Sequence, residues 1–221
     1  MTSPAVEDYL KAIYQLSEQG GAVSTSAIAE RLGIAAGSVT GMLKRLADQG
    51  LVEHVPYHGT SLSAAGAKTA VRMVRRHRII ESFLVEILGY TWDRVHAEAE
   101  QLEHAASDQL IDRMAHVLGQ PAADPHGSPI PTGHGDFHED PLPTLDALVR
   151  GQIANVSRVR DEDAEALRFL AELNLVPGAL VEILEVQPFN GPLTLRIEGT
   201  TRVIGRELAR FVQVDIVGPA T

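Results

Sequence analysis

Residues 24–63 decide the fold of the amino-terminal part of this chain, and they read STSAIAERLGIAAGSVTGMLKRLADQGLVEHVPYHGTSLS. The first half predicts two short amphipathic helices, over residues 26–32 and 36–49, separated by a break at Gly33. The second half places two short strand-like segments on either side of a turn, which predicts a β-hairpin. Two helices joined by a tight turn and followed by a hairpin are typical of a winged helix-turn-helix, a DNA-binding fold.

The rest of the chain predicts further helices and then strands. One helix is predicted over residues 4–17, with Ser3 as its N-cap, and two longer ones over residues 64–88 and 92–118. From residue 151 onward, short strand-like segments alternate with Gly and Pro turns, which predicts a small β-barrel interrupted by one short helix. We therefore expect a mainly α-helical chain with a β domain at its carboxyl end.

Composition excludes several kinds of chemistry. The 221-residue chain is 44% hydrophobic and contains no Cys, so disulfides, thiolate zinc sites, iron–sulfur clusters and cysteine nucleophiles are all excluded. No apolar run approaches the ~20 residues that span a bilayer, and the first residues lack a basic and hydrophobic leader. We expect a cytoplasmic protein with no membrane partner.

Charge is divided unevenly along the chain. The net charge is −10, which alone would disfavour a partner as acidic as DNA. Residues 1–80 nevertheless carry nine basic against six acidic residues, a net of +3, which leaves −13 for residues 81–221. This asymmetry suggests that the basic part contacts a polyanion and the acidic part holds cations, although two ordinary solvated surfaces would give the same count.

Acidic and imidazole side chains gather on the two long predicted helices: His77 and Glu81 on the first, and His96, Glu100, Glu103 and His104 on the second. The spacing i, i+4, i+7 and i+8 would place the last four on one helical face. Such a face is either solvated, ion-paired or bound to metal, and imidazole with carboxylate suits Mn²⁺, Fe²⁺, Co²⁺ or Zn²⁺. The chain has no His-Glu-x-x-His motif, nucleophile constellation or phosphate loop, so we expect neither enzyme activity nor an organic cofactor.

Five segments of the chain carry a family resemblance. They are VEDYLKAIY (6–14), the winged helix, RRHR (75–78), VHAEAEQLEH (95–104) and DPHGSPIP (124–131). Together they resemble the diphtheria toxin repressor family of metal-dependent transcriptional regulators, and most closely its manganese-sensing branch. The resemblance implies a winged-helix DNA-binding domain (1–64), a helical metal-binding and dimerisation domain (65–140), a linker (141–150) and an SH3-like, FeoA-like β-barrel domain (151–221).

The resemblance also implies a primary metal site. Its expected ligands are Asp8, His77, Glu100, Glu103 and His104. Asp8 stands where the iron-sensing branch has Met, and Glu100 stands where that branch has Cys, which is the substitution of the manganese branch. Mn²⁺ is therefore the expected cofactor, with Fe²⁺, Co²⁺ or Zn²⁺ as other ions that could bind. Lys11 stands where some manganese regulators have a Glu of a binuclear site, so that arrangement is not expected.

A secondary metal site is implied by family members with a third domain. Its expected ligands are Glu81, His96, Asp124, His126 and Asp161. A solvated surface role is the alternative for His96, Asp124 and Asp161, and the resemblance leaves open to which site His77 and His96 belong. The remaining histidines match no ligand position: His54, His58, His116, His134 and His138.

These assignments lead to a functional hypothesis. The expected protein is a repressor that binds double-stranded, palindromic operator DNA as a homodimer when a cation links Asp8 to the dimerisation helices. The residues expected to face DNA are Ser24, Thr25, Ser26, Ser38, Thr40, Lys44 and Arg45. The alternatives are an iron-responsive repressor of the same family, a winged-helix sensor of a small organic ligand, and a metal-storage or enzymatic protein that uses the winged helix only for interaction.

Overall fold

The computed structural model describes residues 3–17, 21–55, 58–132 and 141–219. Its elements in chain order are α1 (Pro4–Ser17), α2 (Thr25–Leu32), α3 (Ala36–Asp48), β1 (Val52–Val55), β2 (Gly59–Leu62), α4 (Ala64–Glu86), α5 (Val95–Leu102), α6 (Asp108–Val117), β3 (Gln152–Val159), α7 (Ala164–Glu172), β4 (Leu180–Val186), β5 (Leu193–Ile197), β6 (Thr200–Ile204), α8 (Arg206–Ala209) and β7 (Val212–Pro219). None of the described helices is long and apolar enough to cross a lipid bilayer.

The chain divides into two compact units. The first contains Met1–His77, Gln101–Ile111 and Pro131–Pro141, and the second contains Arg78–Glu100, Asp112–Ile130 and Leu142–Thr221. The winged helix belongs to the first unit and the carboxyl-terminal sheet to the second. The predicted combination of a winged helix, further helices and a β domain is confirmed.

Helices α2 and α3 form the helix-turn-helix, α1 packs against them, and local signals set the ends of α2. Ser24 caps α2, because its Oγ accepts a hydrogen bond from the Ala27 N–H at 3.1 Å. Gly33 ends α2 in the left-handed conformation, with φ of 65°, which glycine adopts without a steric penalty. The three helices bury one apolar core, which includes Val6, Leu10, Ile13, Ile28, Val39, Leu43 and Leu46.

Strands β1 and β2 form the wing. They pair antiparallel, and Val23, which precedes α2, adds a bridge to Thr60 through two N–H···O hydrogen bonds of 2.8 and 2.9 Å. Helix α4 begins so close to the wing that a Cβ added to Gly66 would lie 2.0 Å from the Leu51 carbonyl oxygen. The wing is therefore tied both to the chain before α2 and to α4. The hairpin turn was predicted over residues 56–59, of which residues 56 and 57 lie outside the described residues.

The prediction of one helix over residues 92–118 is wrong, because the structure has two, α5 and α6. The Leu102 carbonyl oxygen accepts a hydrogen bond from the Ala105 N–H at 3.1 Å, which closes α5 in a turn. Helix α6 has its own cap, since Ser107 Oγ accepts a hydrogen bond from the Leu110 N–H at 3.2 Å. The side chains of residues 103–107 therefore do not follow the helical positions that one continuous helix would give them.

The second unit contains an antiparallel five-stranded sheet in the order β6-β5-β4-β3-β7. Its core combines side chains from the strands and α7, including Val156, Leu167, Leu170, Val181, Ile183, Leu195 and Val214. The predicted β domain with one helix before its second strand is confirmed, but β6 and α8 were not predicted. In β6 only Ile204 is buried, so the strand lacks the alternating apolar pattern that marks a half-buried strand.

One loop of the second unit lies against the sheet. The His126 carbonyl oxygen accepts a hydrogen bond from the Val159 N–H of β3 at 2.9 Å. Gly127 has φ of 87°, and a Cβ added there would lie 2.0 Å from the Ser157 carbonyl oxygen. Only glycine fits this approach without a shift of the backbone. The Pro- and His-containing segment that follows α6 is therefore held on β3 in a defined conformation.

Candidate metal centres and nucleic-acid interface

The first cluster of metal-ligating side chains joins α1 to the turn after α5. Ligand atoms of Asp8, Glu103 and His104 lie within 4.8 Å of one another. His104 Nε2 is 2.9 Å from Asp8 Oδ1 and 3.9 Å from Glu103 Oε1. Glu103 is completely buried, whereas Asp8 and His104 reach solvent in part. The structure thus brings together three of the five predicted primary ligands.

Glu7 orients His104 and was not predicted from the sequence. Its Oε2 lies 3.0 Å from His104 Nδ1, which leaves Nε2 directed at Asp8. Burial disfavours the charged imidazole, but the hydrogen bond to Glu7 and the charges of Asp8 and Glu103 outweigh it and raise the pKa of His104. The sequence offers one sign that Glu7 faces the interior. Glu7 lies three residues before Leu10, within the stripe of buried residues on α1.

Lys11 and His77 hold the buried Glu103 carboxylate. Lys11 Nζ lies 3.0 and 2.9 Å from the two Glu103 oxygens and 3.0 Å from His77 Nδ1. His77 Nδ1 is also 2.6 Å from Glu103 Oε2. The side chains of Lys11 and His77 are only 6% and 5% exposed. The structure therefore places the predicted ligand His77 beside Glu103, but both contact an ammonium group.

Two arginines of α4 stabilise the first unit internally. Arg76 donates to Asp108 Oδ1 at 2.7 and 3.1 Å and to the Glu103 carbonyl oxygen at 3.2 Å. The hydrogen bond from Arg76 lowers the pKa of Asp108. Arg72 lies 3.7 Å from Glu7 Oε1. These members of the basic cluster are ion-paired within their own unit.

The second cluster lies in the second unit. Glu81 on α4 and the loop residues Asp124 and His126 have ligand atoms within 4.8 Å of one another, and all three residues are buried. His96 Nδ1, on α5, lies 3.4 Å from Glu81 Oε1 and 3.3 Å from Asp161 Oδ2, just beyond β3. The five predicted secondary ligands therefore meet in one region of this unit.

Neighbouring groups fix the loop ligands of the second cluster. His126 Nε2 lies 2.8 Å from the Trp92 carbonyl oxygen, to which it donates, and its ring stacks on the Trp92 ring with centroids 5.6 Å apart. Asp124 Oδ1 accepts hydrogen bonds from the N–H groups of His126 and Ser128, both at 2.9 Å. These contacts leave His126 Nδ1 directed toward Glu81 Oε2, 3.7 Å away. Contacts of this kind orient metal ligands in known sites.

Asp124 and His126 each bury a polar side-chain atom in this cluster. Asp124 Oδ2 and His126 Nδ1 have no hydrogen-bond partner within the described residues, although Arg78 Nε lies 3.6 Å from Asp124 Oδ2. Leaving a buried polar atom unsatisfied costs about 1–3 kcal/mol. A divalent cation that accepts imidazole and carboxylate ligands would bind both atoms. The residues present therefore fit a metal ion.

Opposite charges set the protonation of the second cluster. Burial disfavours the charged form of His96, but its contacts with Asp161 and Glu81 outweigh burial and raise its pKa to about 10. Attraction to Glu81 likewise overcomes burial and raises the pKa of His126 to about 9. Burial and the Glu81 charge raise the pKa of Asp124 to about 7. Burial also disfavours the charged form of Asp161, but the hydrogen bond to His96 outweighs it and lowers the pKa of Asp161 to about 2. Without metal, two imidazolium groups thus balance the carboxylates.

Glu100 belongs to the last turn of α5. Its Oε1 lies 3.8 Å from His96 Nε2, and its side chain is 42% exposed. The expected pairing of His96 with Glu100 on one helical face is therefore present. The expectation that one helix carries all four side chains is wrong, because Glu103 and His104 lie beyond the end of α5 at Leu102. The role of Glu100 as a primary ligand stays a prediction.

Helix α3 displays small, polar and basic side chains. The exposed residues include the predicted DNA-facing set Ser38, Thr40, Lys44 and Arg45. A Cβ added to Gly37 or Gly41 would meet nothing within 4 Å, so no packing contact in the described structure requires glycine there. Glycine also weakens a helix by about 0.5–1 kcal/mol relative to Ala. The outer surface of α3 is therefore open to close approach by a partner.

The remaining predicted positions have simpler roles. Ser24 is occupied as the cap of α2 and lies 3.0 Å from the exposed Ser26 hydroxyl, with Thr25 between them in the first turn. His54 Nδ1 is 2.9 Å from Thr60 Oγ1 within the wing. Among the described residues no ligand cluster contains the following histidines: His54, His58 and His116. His134 and His138 lie outside the described residues.

Models of three known domains match consecutive parts of the chain. They are the N-terminal DNA-binding domain of iron dependent repressors (residues 1–60), the metal binding and dimerisation domain of iron dependent repressors (63–132) and the FeoA domain (144–216). The iron-dependent repressor IdeR of Mycobacterium tuberculosis (strain ATCC 25618 / H37Rv) is 33% identical over 225 residues, which cover 96% of each chain.

Solved structures show the same similarity. A manganese-dependent transcriptional repressor in complex with manganese has a TM-score of 0.89 at 38% identity, with 96% of this chain and 100% of that chain covered. The manganese regulator SloR has a TM-score of 0.80 at 33% identity, with 97% and 100% covered. The chain therefore belongs to the iron-dependent repressor family, also called the diphtheria toxin repressor family. This is a family of metal-dependent, DNA-binding transcriptional repressors rather than of enzymes, as the sequence predicted.

Proposed function

We propose that this chain is a manganese-activated repressor that binds palindromic operator DNA as a homodimer. One observation carries the proposal: the first cluster consists of carboxylate and imidazole donors and includes Asp8, on the first helix of the winged-helix unit. Oxygen-rich sites suit Mn²⁺, whereas thiolates favour softer ions. Because the chain has no Cys, no thiolate can enter the site.

The proposed primary ligands are Asp8, His77, Glu100, Glu103 and His104. Asp8 and Glu103 would be neutralised by the charge that a bound cation supplies. Because α1 shares its core with α3, fixing Asp8 to the turn at residues 103–104 restrains the helix on which α3 packs. Such a restraint favours one arrangement of the DNA-binding unit, and by linkage DNA binding then tightens metal binding equally.

We propose the second cluster as a second metal site. Its ligands are Glu81, His96, Asp124, His126 and Asp161. The buried atoms Asp124 Oδ2 and His126 Nδ1, which lack hydrogen bonds in the described structure, support this assignment. Since these ligands come from α4, α5, the loop on β3 and the end of β3, binding there stabilises the packing of the second unit.

Helix α3 is the proposed recognition helix. Ser38, Thr40, Lys44 and Arg45 would face the major groove, while the first turn of α2, residues 24–26, would lie near phosphates. The glycines of α3 leave few long side chains near base edges. Sequence-dependent DNA shape is therefore expected to contribute to the choice of operator.

Exposed apolar side chains support the proposed homodimer. In the first unit Leu102 and Leu110 are 43% and 46% exposed, and in the second unit Ile87, Leu88 and Val117 are 48%, 58% and 62% exposed. Contiguous patches of exposed apolar residues mark interaction surfaces, and these side chains are the proposed contributors in each unit. A two-fold dimer would present two α3 helices to a palindromic site. Chromosomal DNA as the partner would place the protein in the cytoplasm.

An iron-responsive repressor is the second candidate. The observation that favours it is the 33% identity to IdeR over nearly the whole chain. The two candidates share the fold and the DNA-binding role. They differ in which ion gives the DNA-binding form.

A metal titration of DNA affinity tests the proposal. A duplex selected from a randomised library in the presence of MnCl₂ would be the probe, and fluorescence anisotropy would follow binding after chelation and then with added Mn²⁺, Fe²⁺ without oxygen, Co²⁺ or Zn²⁺. We expect chelation to abolish binding and micromolar Mn²⁺ to restore it. Restoration by Fe²⁺ but not by Mn²⁺ would favour the iron candidate, and binding unaffected by chelation would overturn both.

A further inference from the structure

Lys11 is the buried lysine of this chain. The chain contains three lysines, and the other two, Lys44 and Lys68, are exposed. Burial of an ammonium group is costly unless a carboxylate pairs with it. Lys11 has that partner, since both Glu103 oxygens lie within 3.0 Å of Nζ. The pair sits inside the unit that also holds Asp8 and His104.

The ammonium group occupies the Glu103 oxygens that a metal ion would need. His77 Nδ1 lies 2.6 Å from Glu103 Oε2 and donates to that carboxylate, so Lys11 and His77 both occupy the Glu103 oxygens. The Glu103 oxygens have more than one lone pair, but a second cation on a buried carboxylate meets strong repulsion from the first. A metal ion bound to Glu103 and the ammonium group of Lys11 in its observed position would therefore repel each other.

The side chain of Lys11 can move without unfolding α1. Lysine carries its point charge on a flexible four-carbon stem, so Nζ can turn away while the backbone stays in place. In the metal-free protein the same charge compensates Glu103, which would otherwise be a buried carboxylate without a compensating cation. A divalent ion takes over that compensation when it binds.

We propose that Lys11 is a tethered competitor for the metal: its ammonium group holds Glu103 in the metal-free protein and is displaced when a divalent cation binds. The inference rests on the proposed function, because it requires the first cluster to be a metal site. The competition lowers the affinity of this site and thereby sets the free metal concentration at which the repressor is activated. Lys11 acts as a positioning and affinity-setting residue rather than as a ligand.

Calorimetric titration of the full-length dimer with MnCl₂ tests the competition. Lys11→Met keeps the length and the apolar stem but removes the charge, and Lys68→Met is the matched control on the exposed face of α4. We expect Lys11→Met to bind Mn²⁺ roughly tenfold more tightly or better at the first site, and to unfold at a lower temperature without metal. Affinity at the first site equal to or weaker than that of the unchanged protein would overturn the proposal.

A second measurement does not depend on the folding of Lys11→Met. In unchanged protein carrying ¹³C-lysine, three ε-carbon signals are expected, and Lys44→Met and Lys68→Met assign two of them by their loss. Titration with Zn²⁺, which is diamagnetic, should shift the Lys11 signal and leave the other two in place. A Lys11 signal that stays unchanged while the first site fills would overturn the proposal.

The two experiments separate this inference from the proposed function. If the unchanged protein binds Mn²⁺ and its DNA affinity depends on metal, but Lys11→Met binds no more tightly, only the role of Lys11 fails. If neither protein binds a divalent ion, the metal site itself fails, and the inference fails with it.

Discussion

Replacing Gly127 with Ala should destabilise the second unit and weaken its proposed metal site. Gly127 has φ of +87°, a conformation that costs Ala about 1 kcal/mol. The new Cβ would also lie 2.0 Å from the Ser157 carbonyl oxygen, so loop or strand must move by roughly 1 Å to restore normal contact. This movement breaks the hydrogen bond from Val159 to the His126 carbonyl oxygen, worth another ~1 kcal/mol. We expect a total loss of about 2–3 kcal/mol.

Gly119→Ala is the matched control for this prediction. Gly119 also has a positive φ, of +73°, but nothing lies within 4 Å of its added Cβ. It should therefore lose only the conformational contribution, about 1 kcal/mol. In a chain of this size about 1 kcal/mol lowers the midpoint of thermal unfolding by roughly 2–4 °C, so Gly127→Ala should lower it about two to three times as far.

Calorimetry on the metal-free proteins measures the unfolding midpoints, and titration with MnCl₂ measures the affinity of the second site. Only Gly127→Ala should weaken that affinity, because it shifts the loop that carries Asp124 and His126. Equal midpoints and equal affinities for the two variants would show that the loop does not depend on its contact with β3.

Three further predictions concern the metal sites. Asp8→Ala should abolish metal-dependent operator binding while the dimer stays folded, because the metal-ligating side chain of α1 is lost. A mobility-shift titration beside the exposed control Glu172→Ala checks this prediction. Unchanged metal dependence in Asp8→Ala would refute it. Glu100→Cys should move activation from Mn²⁺ toward Fe²⁺ or Co²⁺, since thiolate is softer than carboxylate, and an identical activation profile across these ions would contradict that. At about pH 7.5, filling the second site should release roughly two protons, because His96 and His126, with pKa values of about 10 and about 9, are protonated there and bind metal only when neutral. Metal binding at the second site should accordingly tighten as the pH rises toward 10. Calorimetry in buffers of different ionisation enthalpy counts the protons released, and release of fewer than one proton would contradict this prediction.

The winged helix could be predicted nearly residue by residue because local signals mark its ends. Ser24 is a side-chain cap and Gly33 adopts a left-handed conformation, and both effects are visible in the sequence. The break between α5 and α6 was missed for the opposite reason. Val95, Ala99, Leu102 and Ala106 keep helical spacing through it, so only Ser107 marks the new helix start.

The metal clusters could be predicted only in part. Spacing along a helix indicated His96 with Glu100, and family resemblance supplied the loop ligands of the second cluster. The contacts of Glu7 with His104 and of Lys11 with Glu103 join residues 97 and 92 positions apart. No local pattern encodes such contacts, because they depend on how the helices of the unit pack. For the same reason the sequence showed that Lys11 replaces the Glu of some manganese regulators, but it did not show which residues Lys11 contacts.

The ion pairs of α1 and α4 have a consequence for DNA binding in salt. Lys11, Arg72 and Arg76 are engaged by acidic groups of the protein, so three of the nine basic residues among residues 1–80 are already paired. Each phosphate that a protein neutralises contributes about −0.9 to the slope of log K against log salt concentration. With Lys44 and Arg45 as the exposed cations of α3, two subunits would give a slope of only about −4. A twofold rise in salt concentration would then weaken operator binding about 16-fold, so operator occupancy would depend on ionic strength as well as on the metal supply.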